Sequence, residues 1–273
     1  QRQMCIRDSI QACAGSLGPI IPPSLTMIIY CSLTGLSIGE CFMAGVIPGL
    51  IIGLGVAVVT YFYARRLGIK GDERVPYRER LTAIKDGILA IIMPLIIIGG
   101  IVSGIFTPTE SGAIAVIYAL VIGMFVYKEF TYRELPRIFL KAASMTGMAL
   151  LIVAGASIFS WLVAYEKFPK MIITFLTGLT DNKYVIMMLL VLFLLFVGMF
   201  IETLSATIIC APILMPVAAQ YGIDPIQFAL IMVITLVYAG VTPPVGGVLF
   251  ITMGIAKAKV RGALTYLAPY LGI

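Results

Sequence analysis

Two proline-proline steps flanked by glycine and hydroxyl residues are the places where this chain could do chemistry. One is Leu17-Gly18-Pro19-Ile20-Ile21-Pro22-Pro23-Ser24; the other is Gly240-Val241-Thr242-Pro243-Pro244-Val245-Gly246-Gly247. Each proline removes an amide donor and clashes with the preceding turn, so neither stretch can stay helical. In hydrocarbon the freed carbonyls are costly unless something binds them. Carbonyl and hydroxyl oxygens can replace the hydration shell of a small hard cation such as Na+, and the ends of broken helices help select its sign. The sodium-binding candidates are Ser16, Gly18 and Ser24 at the first break, and Gly240, Thr242 and Gly246 at the second. Thr242, Pro243 and Pro244 are also candidates for a substrate site. The competing reading is a pair of kinks whose backbone groups are satisfied by neighbouring helices.

A third polar stretch, Glu202-Thr203-Leu204-Ser205-Ala206-Thr207, interrupts an apolar region. Thr203, Ser205 and Thr207 join the sodium candidates if this stretch packs on the second break. Glu202 is the acid set deepest among apolar residues. A buried carboxylate is expensive and so a functional candidate, here for the substrate site; an interfacial loop residue is the other reading.

Elsewhere the chemistry is narrow. Histidine is absent, which removes Ser-His and Cys-His catalysis. Asp72, Asp86, Asp181 and Asp224 all fall in loops, so an aspartyl intramembrane protease fails as well; no enzyme is expected. The cysteines Cys5, Cys13, Cys31, Cys41 and Cys210 lack metal-ligand spacing and, Cys5 apart, read as small buried hydrophobes. No cofactor is expected, and Na+ is the only metal ion.

The elements that position these groups are membrane helices. The chain is 60% hydrophobic and only 12% charged, about half the charge of a soluble domain. The net charge of +6 then reflects lysine and arginine in cytoplasmic loops and needs no nucleic acid. The first broken helix covers residues 10–34. Spanning segments fill 35–183, among them Phe42–Ala64 with Pro48 as a possible kink, Gly87–Gly104, Gly112–Tyr127 and Ala142–Val163.

Basic loops lie at 65–86, with an amphipathic helix expected after Pro76, and at 128–141. Loop 65–86 reads either as a docking surface for a partner subunit or as a topology determinant touching lipid headgroups. Glu110 is expected to cap the helix beginning near Gly112, and Trp161 and the tyrosines near span ends to form an aromatic belt.

Residues 184–221 form a hairpin. Its second arm, counted from Ile208 to Gln220, is about 13 residues or roughly 20 Å long, short of a ~30 Å hydrocarbon core. A re-entrant hairpin with its tip at Glu202–Thr207 is therefore expected. The second broken helix covers 222–261, and 262–273 reads as the start of a truncated final span. Placing loop 65–86 in the cytoplasm puts every strongly basic loop on that side. The two broken helices then run in opposite directions, as an inverted repeat requires. Residues 1–9 read as a non-native or disordered leader, and the chain as a fragment of a longer protein.

Three stretches resemble the large membrane subunit of the tripartite ATP-independent periplasmic (TRAP) transporters: Gly15–Tyr30, Gly104–Leu120, and Ile201–Phe250 with Pro212, Pro216 and Gly222-Ile223-Asp224-Pro225. The resemblance implies an all-α elevator-type transporter with inverted repeats, discontinuous helices and re-entrant hairpins. It implies Na+-coupled uptake of organic acids, such as C4-dicarboxylates or sialic-acid-like carboxylates. A small membrane subunit and a periplasmic substrate-binding protein are the implied partners, in the bacterial or archaeal cytoplasmic membrane. Members have two hairpins; only the second is expected here, so the chain alone is not expected to transport. Thr235 stands where many relatives carry asparagine. The alternative is a stand-alone divalent-anion/Na+ symporter of the elevator type. Within this reading, Phe42–Ala64 belongs to a static scaffold and both broken helices to a moving domain.

Overall fold

The computed structural model describes residues 13–66, 76–167 and 182–242, with scattered positions between 168 and 181. All regular elements among them are helical: α1 (Leu25–Thr34), α2 (Ile38–Arg66), α3 (Tyr77–Val102), α4 (Pro108–Val121), α5 (Leu135–Tyr165), α6 (Lys183–Phe200), α7 (Thr203–Gln220) and α8 (Pro225–Ala239). A π-helical turn, Ile122–Val126, follows α4. Among the described residues, five stretches are long and apolar enough to cross a membrane: 38–66, 108–126, 135–155, 183–200 and 203–220. The chain is a polytopic membrane protein.

Local sequence sets the helix ends. Ser24, in extended backbone, accepts from the Met27 amide and starts α1; Gly35, at φ 72°, stops it in the left-handed conformation that glycine adopts without strain. Asn182 caps α6 and Asp224 caps α8, each accepting from amides of the first turn. Thr107 and Glu110 form a reciprocal capping box, with Glu110 Oε2 accepting from the Thr107 amide at 2.8 Å. Glu110 is thus a cap as expected, but of a helix that starts at Pro108 rather than near Gly112. Trp161 is exposed and stacks on Tyr165 at 5.4 Å.

Other element boundaries also differ from the sequence reading. The helix after Pro76 and the span from Gly87 are one helix, α3, because nothing between them breaks the backbone. Helix α5 begins seven residues before Ala142, at Leu135. The second hairpin arm is also longer. Thr203–Thr207, read as a polar tip, forms the first turn of α7, which has 18 residues rather than 13. Hydroxyl side chains at a helix start are compatible with helical backbone when they bond to it. At about 27 Å, the arm's length no longer argues for re-entrance.

The chain divides into two compact units, one joining residues 1–69 with 156–273 and the other comprising 70–155. In the first, α8 packs on α6, α7 and α2, while α1 packs on α7 and α2. Its core runs through Tyr30, Ile186, Leu194, Leu214, Phe228 and Met232. Gly198 lets α6 and α8 approach closely: a Cβ there would stand 2.6 Å from Ala239 Cβ. Helix α2, expected in a scaffold, shares this unit with both breaks. Its Gly45 and Gly49 seat the first break and the start of α1: a Cβ at Gly45 would come within 2.9 Å of Met27 Cε and 3.4 Å of Ile20 O, and one at Gly49 within 2.8 Å of Ile21 Cγ1.

In the second unit α3 and α4 form a helical hairpin, tied by Tyr118 Oη donating to the Leu89 carbonyl at 2.8 Å. Within residues 135–155 of α5 none of the described side chains is buried. Large apolar groups there, such as Met145, Met148 and Leu151, face outward.

Candidate functional site

The first break is a run of turns and bends from Ser16 to Pro23 between a short helical turn at 13–15 and α1. Its Pro22-Pro23 peptide is cis. The amides of Leu17 and Gly18 donate to Ala14 and Gly15, and those of Ile20 and Ile21 both donate to the Leu17 carbonyl, at 3.0 and 2.9 Å. Hydroxyls close much of the rest. Ser16, buried, donates to Cys13 O at 2.7 Å. Ser24, also buried, donates to the Pro19 carbonyl while accepting from Met27. Gly18 is exposed. The three candidates therefore share one loop, with Ser16 and Ser24 turned into the protein and bonded to the loop's own backbone.

The second site is built by a meeting of helix ends. Helix α8 ends at Gly240, where the amides of Val241 and Thr242 reach back to Tyr238 and Ala239 at 3.1 and 2.9 Å. These three-residue closures tighten the last turn. Thr203, opening α7, donates from Oγ1 to the Leu236 carbonyl at 3.3 Å. A Cβ at Gly240 would lie 3.4 Å from Thr203 Oγ1. Thr203, at the hairpin tip, thus packs on the last turn of α8, where the second break begins. Thr207, fully buried, donates to Thr203 O at 2.8 Å, and Thr242 donates to Tyr238 O at 2.8 Å. Pro243, Pro244 and Gly246 lie outside the described residues.

The electrostatics follow from orientation. The carbonyl end of α8 favours a cation and the amide end of α7 favours an anion, so one small region presents both preferences. Glu202 occupies the α7 end itself. Its Oε2 accepts from the Ser205 amide and hydroxyl, each at 3.4 Å. Of the two sequence readings, a buried acid or an interfacial residue, the described residues give an exposed carboxylate at the helix start it caps. Set there, it strengthens a cation site and opposes a bare anion.

What the sequence missed is the α8 side of this contact. The Leu236 carbonyl carries no signature, since any residue supplies one, and Gly198 mattered only once α6 and α8 were seen to pack. Thr235, on α8, is buried.

Comparison with known proteins extends this geometry. Residues 7–273 match the family model for the tripartite ATP-independent periplasmic transporter, DctM component. The chain is 37% identical over 258 residues to the C4-dicarboxylate TRAP transporter large permease protein DctM of Pseudomonas aeruginosa, covering 93% of the chain and 60% of that protein. It is 36% identical over 257 residues to the sialic acid TRAP transporter large permease protein SiaM of Vibrio cholerae, with coverages of 93% and 60%. The 2,3-diketo-L-gulonate TRAP transporter large permease protein YiaN of Escherichia coli is 36% identical over 260 residues, with coverages of 95% and 61%. The chain thus spans about three fifths of the length of these curated relatives.

Proposed function

Because the chain belongs to the DctM component family of tripartite ATP-independent periplasmic transporters, we propose that it is part of a permease for Na+-coupled uptake of organic acids across the bacterial cytoplasmic membrane. C4-dicarboxylates and sialic-acid-like carboxylates are the substrate classes, by analogy with its named relatives. A periplasmic binding protein delivers the substrate and a small membrane subunit completes the permease. The single observation that carries this reading is the Thr203–Leu236 contact, which sets the hairpin tip on the carbonyl end of a broken helix.

In this mechanism Na+ binds between the tip hydroxyls of Thr203, Ser205 and Thr207 and the oxygens at Gly240, Thr242 and Gly246. A second cation is held by Ser16, Gly18 and Ser24. Each hydroxyl now donates to a carbonyl or carboxylate within the chain; turning its lone pairs towards a cation requires only rotation about Cβ–Oγ. The cation offsets the substrate carboxylate in a low-dielectric setting and so couples the two. Thr242, Pro243, Pro244 and Glu202 border the substrate in this scheme. The hairpin is re-entrant and travels with both breaks in an elevator movement. Since α2 seats the first break, it belongs with the moving part.

The test is uptake of labelled organic acids into proteoliposomes holding the complete permease, its small subunit and its binding protein, with and without an inward Na+ gradient. Uptake that needs both sodium and the binding protein is expected. Sodium-driven uptake without the binding protein would favour the stand-alone divalent-anion symporter. Unchanged sodium dependence in Thr242→Ala and Ser205→Ala would sink the assignment of the second site.

A further inference from the structure

Four cations and two acids lie where the chain passes from α4 into α5: Lys128, Glu129, Arg133, Glu134, Arg137 and Lys141. The corner is ordered by its own contacts. The Phe130 ring lies so close to Gly123 that a Cβ there would meet its Cε1 at 2.5 Å. The Thr131 amide donates to Glu134 Oε2 at 2.9 Å, and the Glu134 amide donates to the Thr131 carbonyl at 2.9 Å. Glu134 is therefore committed to starting the helix. Arg133 sets its guanidinium over the Tyr132 ring, 5.7 Å from the centroid, with Nε donating to Tyr132 Oη at 3.3 Å.

Beyond that start the charge is one-sided. Helix α5, Leu135–Tyr165, holds Arg137 and Lys141 and no acid. Spaced four residues apart, the two cations share one face of the helix. Both are exposed, and neither forms an ion pair among the described residues. Their neighbours Ile138, Phe139 and Leu140 are large, apolar and exposed, Leu140 at 74%. Residues 135–155 are also long and apolar enough to span a bilayer. Lys141 stands about 9 Å along the axis from Leu135, so it reaches the lipid headgroup layer rather than bulk water. A basic loop that only fixes topology works by its number of charges in water. It has no need of cations set inside an apolar segment, where each is costly without a counter-charge.

We propose that the α4–α5 corner is a binding site for an anionic phospholipid, with Arg137 and Lys141 holding its phosphates. The planar guanidinium of Arg137 takes two oxygens of one phosphate, and the Lys141 ammonium acts as a point charge. Tyr132 and Arg133 border the headgroup, while Phe139 and Leu140 lie against the acyl chains. Cardiolipin fits best, because it joins two phosphates in one headgroup and so matches two cations one helical turn apart. The site lies outside the candidate ion site and goes beyond the transport reading. It requires only that α5 crosses the membrane.

The complete permease with its small subunit is purified in detergent, stripped of lipid and titrated with cardiolipin, phosphatidylglycerol or phosphatidylethanolamine. Bound lipid is counted by native mass spectrometry. Saturable cardiolipin binding is expected, with phosphatidylglycerol weaker and phosphatidylethanolamine weakest. Arg137→Gln/Lys141→Gln should raise the cardiolipin concentration for half-saturation roughly 30-fold, about fivefold per cation. Arg137→Lys/Lys141→Arg, which keeps both charges, should retain most of the binding, and Lys183→Gln should leave it unchanged. Equal half-saturation in the neutral variant, or phosphatidylethanolamine held as tightly as cardiolipin by the unmodified permease, would overturn the proposal. So would loss of the small subunit from the neutral variant with cardiolipin still bound, which would assign the patch to a protein partner. The readout is bound lipid, so it stands or falls independently of transport.

Discussion

The two breaks solve the same backbone problem in different ways. The first is closed mostly from within, by Ser16 on Cys13 and Ser24 on Pro19. The second borrows a neighbour, because Thr203 of α7 reaches the Leu236 carbonyl of α8 from 33 residues away. A self-closed loop keeps its shape when its surroundings change. A loop closed by another helix changes when that helix moves, and so can report hairpin position to an ion. Under the proposed sodium reading, the second break would be the place where hairpin position couples to an ion, and the first the more fixed ligand cage.

The largest test of this contrast is Gly198→Ala. Its new Cβ would press on Ala239 at 2.6 Å, so α6 must move away from α8. We expect a loss of about 1–3 kcal/mol, seen as a lower Tm in detergent, with partial recovery in Gly198→Ala/Ala239→Gly. Full stability in the single variant would mean the helices are not held this closely.

Next comes Ser24→Ala, which removes both the α1 cap and the donor to Pro19. A cost of about 1 kcal/mol is expected, with no coupling to hairpin variants. Thr203→Val removes one interhelical hydrogen bond and should cost about 0.5–1.5 kcal/mol. It should also raise the sodium concentration for half-maximal uptake more than Ser24→Ala does. If Ser24→Ala shifts sodium dependence more, the roles of the two breaks are reversed.

The smallest effect is expected from Tyr30→Phe. The Tyr30 hydroxyl is buried in the arm that follows the first break and has no hydrogen-bond partner among the described residues. Deleting it removes a desolvated polar group, so stability should hold or rise by up to about 1 kcal/mol. A clear fall in Tm would show that the hydroxyl has a partner.

Much of this architecture could be read from residue order. Apolar run lengths placed the spans, and the two Pro-Pro steps marked where α1 begins and, one turn late, where α8 stops. Glu110 was legible as a cap because an acid just before a helix start satisfies free amides; the reciprocal box with Thr107 appeared only in the structure. Glu202 has a hydroxyl at the same spacing behind it, yet its apolar surroundings drew the reading towards burial. The hairpin arm was misjudged for a related reason: Thr203, Ser205 and Thr207 look like loop residues when counted by polarity. Their hydroxyls bond within the helix or to the next one, so polarity there does not end the helix. Nothing in the sequence pointed to Leu236 or to Gly198, because both depend on which helices come side by side.

The π-helical turn at Ile122–Val126 has its own consequence. Tyr127 donates to the Ile122 carbonyl at 2.9 Å, and Glu129 reaches Gly123 at 3.0 Å across Lys128, which stands at φ 53°. A π turn holds one residue more than α winding would. Unwinding it to α geometry would feed that residue onward, advancing everything beyond by about 1.5 Å and rotating it by about 100°. The residues that follow, Lys128 to Glu134, are therefore set off from α4 by one residue more than α winding would give.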